Sequence, residues 1–157
     1  MKIFSFFLLA IILFSIISCS DEIDTTSERL GVQQILYKYA EAWRVKNMDL
    51  FSELFSNDVD MIIFDGNSSK RFVGWIAWEQ RLEQHSVYFQ NVDISYENEV
   101  IKVDKSGNIA WLSCIANTKF TYQGKPGIMS GLRMTWVLEK RKNNWIIVHA
   151  HFSFPKE

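Results

Sequence analysis

Cysteine is nearly absent from this sequence: besides Cys19, its 157 residues hold only Cys114, which leaves nothing from which to build a disulfide framework. An excess of positive charge is missing too. Lys and Arg number 17 against 18 Asp and Glu, a formal charge of -1, so no electrostatic argument favours nucleic acid as a partner. The densest basic run, Lys140 to Lys142, reads as a solvated hairpin turn. There is no Gly-rich phosphate loop, no Cys-x-x-Cys, no Gly-x-Ser-x-Gly and no His-Glu-x-x-His. Nucleotide, zinc-protease and serine-hydrolase chemistry therefore has no support, and neither a cofactor nor a metal is expected. Internal repeats, low-complexity segments and internal domain boundaries are also missing.

What the chain has in quantity is apolar and aromatic surface. Apolar residues make up 48% and aromatics 15%, with twelve Phe, six Trp and five Tyr, enough for one domain with a sizeable core. The first nineteen residues stand apart from that domain. Met1 and Lys2 give a positive start, Ile3 to Ile17 is an apolar run too short to span a membrane comfortably, and a small residue precedes Cys19. Ile16-Ile17-Ser18-Cys19 resembles the lipobox of bacterial lipoproteins, in which the Cys is acylated and becomes the mature N-terminus. The alternatives are an ordinary signal peptide and an uncleaved anchor. The resemblance implies residues 1–19 as signal, 20–26 as a polar tether and 27–157 as a domain held to a membrane by lipid. Its place would be the bacterial cell envelope, periplasmic or surface-exposed. With Cys19 lipidated, no disulfide is available and the domain relies on its core.

Along the domain, Thr25 with Glu28 has capping-box form, and Val32, Ile35, Leu36, Tyr39, Ala40 and Trp43 follow at helical spacing. A second helix is expected from Met48 to Phe55, with Asn47 as its cap. Asp58 to Phe64 reads as a strand, turned back by Asp65-Gly66-Asn67 onto Arg71 to Val73. Trp75 to Phe89 returns to helical spacing. Long strands then take over at 91–104 and 109–123, separated by the turn 105–108, with Gly124 to Gly127 as the next turn.

The closing hairpin, Gly131 to Pro155, carries a two-faced pattern. Leu132, Met134, Trp136 and Leu138 share a face with Ile146, Val148, Ala150, Phe152 and Phe154. The opposite face gathers Arg133, Thr135, His149, His151 and Ser153, together with Trp145 and Ile147. The whole is an α+β domain: a curved antiparallel sheet, cone-shaped, with three helices packed in its concavity.

This order, with Gly74-Trp75, Ala110-Trp111, Arg133-x-Thr135 and Trp145-x-x-x-His149-x-His151-x-Ser153-x-Pro155, resembles the SnoaL-like branch of the nuclear transport factor 2-like superfamily. The tail is similar to the association domain of calcium/calmodulin-dependent protein kinase. The resemblance covers roughly Glu28 to Pro155. It implies the cone fold and leaves function open, because the fold hosts isomerases, dehydratases, cyclases, ligand binders and assembly modules. Compared with ketosteroid isomerase, Tyr39 falls where the oxyanion-hole tyrosine lies. The position of the general base is Ile63, which cannot move a proton. Asp65, on the same face two residues later, is a possible substitute base, but it sits in a turn and reads first as a turn-former.

Two sets of residues are candidates for function. Tyr39, Trp43, Trp78, Leu82, His85, Tyr96, Met134, Trp136 and Phe152 are expected to face the cavity, an aromatic setting suited to a small apolar molecule. The polar set Arg133, Thr135, His149, His151 and Ser153 has two readings. It is either the outer sheet face and a homodimer interface, or an acid-base and anion-holding cluster. The outer-face reading is preferred, since burying an unpartnered imidazole and guanidinium would cost several kcal/mol. The expected function is a lipid-tethered module that binds a small apolar or aromatic molecule; the alternative is a cofactor-independent isomerase, lyase or hydrolase.

Overall fold

A computed structural model describes residues 25–155. Helix α1 spans Thr25–Val45 and α2 spans Met48–Leu54, followed by β1 (Ile62–Phe64), β2 (Arg71–Val73) and α3 (Trp75–Tyr88). Four long strands complete the chain: β3 (Phe89–Val103), β4 (Ile109–Tyr122), β5 (Lys125–Arg141) and β6 (Asn144–Ser153). They join in one sheet of order β2-β1-β6-β5-β4-β3, curled but not closed, with the helices packed against it.

The sheet is mixed rather than wholly antiparallel. Strand β1 lies parallel to β6, with Ile62 opposite His149 and Phe64 opposite His151. The strand expected over 58–64 shortens to Ile62–Phe64, because Asp58 is spent on a turn. Its N–H donates to Ser56 Oγ, and its carbonyl accepts from Met61 N–H. Its carboxylate takes Arg141.

Local chemistry explains the helices. Val32, Ile35, Leu36, Tyr39 and Ala42 form the buried stripe of α1 at three- and four-residue spacing. Asn47 caps α2 through Oδ1, which accepts from the N–H groups of Asp49 (2.9 Å) and Leu50 (3.2 Å). Glu28 reaches across to the β5–β6 hairpin, where its carboxylate accepts from Lys140 Nζ at 2.6 Å and from Trp145 Nε1 at 3.2 Å. Trp145 fits there because Gly31 leaves its ring room: a Cβ at that glycine would lie 3.0 Å from Trp145 Cδ1.

Two turns are tighter than their sequences suggest. Gln123 and Gly124 have φ of 49° and 77°, and Lys142 and Asn143 have 49° and 66°; left-handed pairs of this kind suit two-residue hairpins between twisted strands. Pro126 and Gly127 therefore belong to β5, opposite Thr121 and Phe120. Proline is tolerated because β5 at this level has β4 on one side and a free edge on the other: the β6 pairing extends only to Arg133 opposite Ser153.

Strict alternation along β6 fails at one point. Val137 pairs with His149 and Leu138 with Ile147, so Val148 is an extra residue, a β-bulge. Trp145 and Ile147 are buried before it, and Ala150 and Phe152 after it. This corrects the expectation that Ile146 and Val148 share the inner face with Ala150. At the narrow end of the sheet the core is solid: Phe51, Phe55, Ile63, Trp136, Leu138 and Ile147 are all fully buried.

Candidate functional site

At the other end the same inner face is not filled. A cavity of about 90 Å³, open to the centres of water-sized molecules, lies between α1, α3 and strands β3 to β5. One water needs roughly 10–15 Å³ of such space, so there is room for a small organic molecule. Ala116, Thr118, Leu132 and Met134 form the floor, and Tyr39 and Trp43 of α1 stand opposite Trp78 and His85 of α3. Phe89, Phe120 and Met129, each partly exposed, line the cavity toward the β4–β5 turn. Phe152 closes one side, with its ring near-parallel to those of Tyr39 and Trp78 at 6.3 and 6.0 Å between centroids.

The polar wall comes from the β1–β2 turn. Gly66 lets that turn press on the end of β6, since a Cβ there would come within 3.4 Å of the Phe152 carbonyl and of Leu132. Asp65 and Asn67 are thereby brought to the cavity. Asp65 Oδ2 accepts from Arg81 Nε at 2.7 Å, with Arg81 Nη2 at 2.6 Å, and Oδ1 accepts from Asn67 N–H at 3.2 Å. The pair is shielded, with the Arg81 and Asp65 side chains 21% and 10% exposed.

Burial sets the protonation of this site. It drives the Tyr39 hydroxyl well above the usual phenol range, with Trp43 as a hydrogen-bond partner pulling the other way, so Tyr39 is a neutral donor. His85 is shifted down, first by desolvation and then by the Arg81 charge, against an opposing pull from Asp65. It is a neutral imidazole at neutral pH. Cys114, behind the floor, has its thiol pushed up to about 12 by burial and is no nucleophile.

Of the residues expected at the cavity, Tyr39, Trp43, Trp78, His85, Met134 and Phe152 line it. Leu82, Trp136 and Tyr96 do not. Leu82 is fully in the core. Trp136 is wholly buried, packed edge-on against Tyr39 at 5.1 Å, so the tyrosine ring faces the space instead. Tyr96 leans onto α1, and its hydroxyl donates to the Leu36 carbonyl at 3.1 Å. Lining residues outside the expected set include Val92, Ile94, Ala116, Thr118, Phe120 and Leu132; the alternation Leu112, Cys114, Ala116, Phe120 on β4 points to this face, and Thr118 is its missing step. In the sequence Asp65 reads as a turn residue. It is one, and it is also cavity wall.

The polar set is elsewhere. Arg133 pairs with Ser153 and Thr135 with His151 on the outer face, where the Phe64 ring stands edge-on to His149 and His151 at 6.0 and 5.7 Å. Among the described residues no His, Cys, Asp and Glu cluster could hold a metal ion. No helix among them is long and apolar enough to cross a membrane. Cys19 lies outside the described residues.

The profile of the SnoaL-like domain family matches residues 32–157. The chain belongs to that family. Among solved structures, this SnoaL-like domain resembles a nuclear transport factor 2-like superfamily protein from Salmonella enterica (TM-score 0.75, 17% identity, 85% of this chain and 94% of that one). It also resembles a candidate scytalone dehydratase from Novosphingobium aromaticivorans (TM-score 0.74, 14% identity, 84% and 87%). A third is a candidate calcium/calmodulin-dependent protein kinase II association domain from Xanthomonas campestris (TM-score 0.71, 18% identity, 80% and 86%). At these identities the likeness is one of fold. By sequence, no curated protein matches the chain.

Proposed function

We propose that this SnoaL-like domain binds a small apolar or aromatic molecule in its cavity. The observation that carries the reading is the cavity itself, a space walled by Tyr39, Trp43, Trp78, Phe89, Phe120 and Phe152 with a short polar wall on one side. Binding is favoured over proton-transfer catalysis because the position of the isomerase base is Ile63, wholly buried in the narrow end, and the carboxylate that could replace it, Asp65, is ion-paired to Arg81. Calorimetric titration with ethylbenzene tests it. Wild-type protein binds saturably, and Ala116→Phe, which puts a ring into the space from its floor, does not. Absence of saturable binding by the wild type ends the proposal.

Two further features complete the reading. Cys19 carries the lipid that holds the domain in the bacterial cell envelope, on the strength of Ile16 to Cys19; Cys19→Ser should leave the membrane fraction, and normal processing with retained membrane binding would refute this. The outer face joins two copies, since it presents Phe64 and Trp111, both more than two-fifths exposed, beside Arg133, Thr135 and His151. Thr135→Glu should then elute as monomer; a wild type that is already monomeric at micromolar concentration rejects the interface.

A further inference from the structure

The walls of the cavity say more than apolar. Among its lining residues one alone carries a formal charge, Asp65. Its partner Arg81 is not part of the lining: the guanidinium is held between the carboxylate and the Phe72 ring, 5.8 Å from the ring centre. A molecule in the cavity therefore meets the carboxylate face of this ion pair. Arg81 meets that carboxylate at Oδ2, with a hydrogen bond from Nε at 2.7 Å and Nη2 in ion-pair contact at 2.6 Å, while Oδ1 accepts only the Asn67 N–H at 3.2 Å. A carboxylate oxygen has two lone pairs, so Oδ1 keeps acceptor capacity. The ring of His85, also in the lining, makes no hydrogen bond to any described residue. An unprotonated imidazole there offers one donor and one acceptor.

We infer that the cavity selects a neutral aromatic molecule bearing a hydroxyl group, a phenol or an aryl alcohol, whose O–H donates to Asp65 Oδ1 while its ring lies among Tyr39, Trp78 and Phe152. A carboxylate is rejected. It would be brought against Asp65 with like charge in a water-poor space, and the cation that could hold it is already engaged. A cation gains little, because the Asp65–Arg81 pair is neutral as a unit and Arg81 stands immediately behind. A ligand without a donor leaves Oδ1 with less than the hydration it gave up, the kind of loss by which buried polar groups discriminate.

This inference rests on the reading of the cavity as a ligand site, and four probes of one shape separate the two. They are ethylbenzene, 4-ethylphenol, 4-ethylanisole and 4-ethylbenzoate, titrated calorimetrically into the wild-type protein. The phenol should bind on the order of tenfold tighter than the anisole, as expected of a hydrogen bond to a charged acceptor. The benzoate should bind weakest of the four. Saturable binding of ethylbenzene with phenol and anisole alike would overturn the hydroxyl assignment and leave the cavity reading intact, whereas failure of all four would overturn both. Tightest binding by the benzoate would place Arg81, not Asp65, before the ligand and overturn the assignment too. In Asp65→Asn the freed Arg81 should admit the anion, so 4-ethylbenzoate should gain affinity while 4-ethylphenol loses it. A parallel fall for both contradicts the assignment. The wild-type series stands even if that variant folds poorly.

Discussion

The two ends of the sheet present the same kind of inner face and use it differently. At the narrow end Leu112, Trp136, Leu138 and Ile147 are sealed by α1, α2 and Phe55, without exposed area. At the wide end the equivalent row of β4 and β5, Ala116, Thr118, Leu132 and Met134, faces open space. Residue type does not make this difference. Toward its turn the β4–β5 hairpin carries this inner face past the helices that cover Leu112 and Trp136, leaving Tyr122 exposed at 41%. A cavity in this fold is what remains where long strands outrun the helices that cover them. Stability should therefore reside at one end and binding at the other.

The largest effect tests that division directly. Trp136→Ala removes a fully buried ring from the sealed end and should cost about 3–5 kcal/mol, read as a lower denaturant midpoint with an unchanged slope. Leu132→Ala at the hollow end merely enlarges an existing space and should cost about 1 kcal/mol or less. Equal losses would show that the wide end collapses in solution and that the two halves are one core.

A subtler change tests the hollow end near the β4–β5 turn. The Phe120 ring lies over the bare Cα of Gly127: a Cβ there would come 2.5 Å from Phe120 Cε2 and 2.7 Å from Cζ. Phe89 stands edge-on to the same ring at 4.9 Å, and Phe120 lines the cavity, so a displaced ring should alter the cavity's shape. Gly127→Ala should change stability by only about 1 kcal/mol, because a flexible side chain yields, while ethylbenzene binding weakens severalfold. Adding Phe120→Leu should restore it. If binding in the single variant is unaffected, Phe120 has no part in shaping the cavity.

How far this could be read from the residues follows the same division. The α1 stripe from Val32 to Tyr39, the Asn47 cap and the polar breaks between strands are local signals, and each produced its element. The bulge at Val148 was not legible, because one extra residue in an otherwise alternating strand leaves no mark on composition; it reversed the faces of Trp145 to Ile147. The parallel pairing of β1 with β6 joins segments far apart in the chain and has no local cause. At the site, alternation identified the inner face, yet a face alone does not say where helices stop covering it. Trp136 and Met134 therefore looked alike, although only Met134 reaches the cavity. Asp65 was obscured by its own turn chemistry: the Asx turn that explains it also aims it.

The smallest expected effect concerns the titratable group of the hollow end. His85 has its pKa lowered, chiefly by desolvation and next by Arg81, with Asp65 opposing. An imidazole whose folded pKa lies below its unfolded value binds fewer protons in the native state, so between the two values unfolding takes up protons and stability rises with pH. The stability is fully present above the unfolded value, about 6.5, and declines as pH falls from there through the folded value. Partial exposure and the nearby Asp65 keep the effect modest. Urea midpoints taken above and below pH ~6.5 should fall further for the wild type than for His85→Asn, which has no charge to bury. Equal falls would mean that water reaches the imidazole freely, and a wall so wetted would no longer contrast with the sealed end of the sheet.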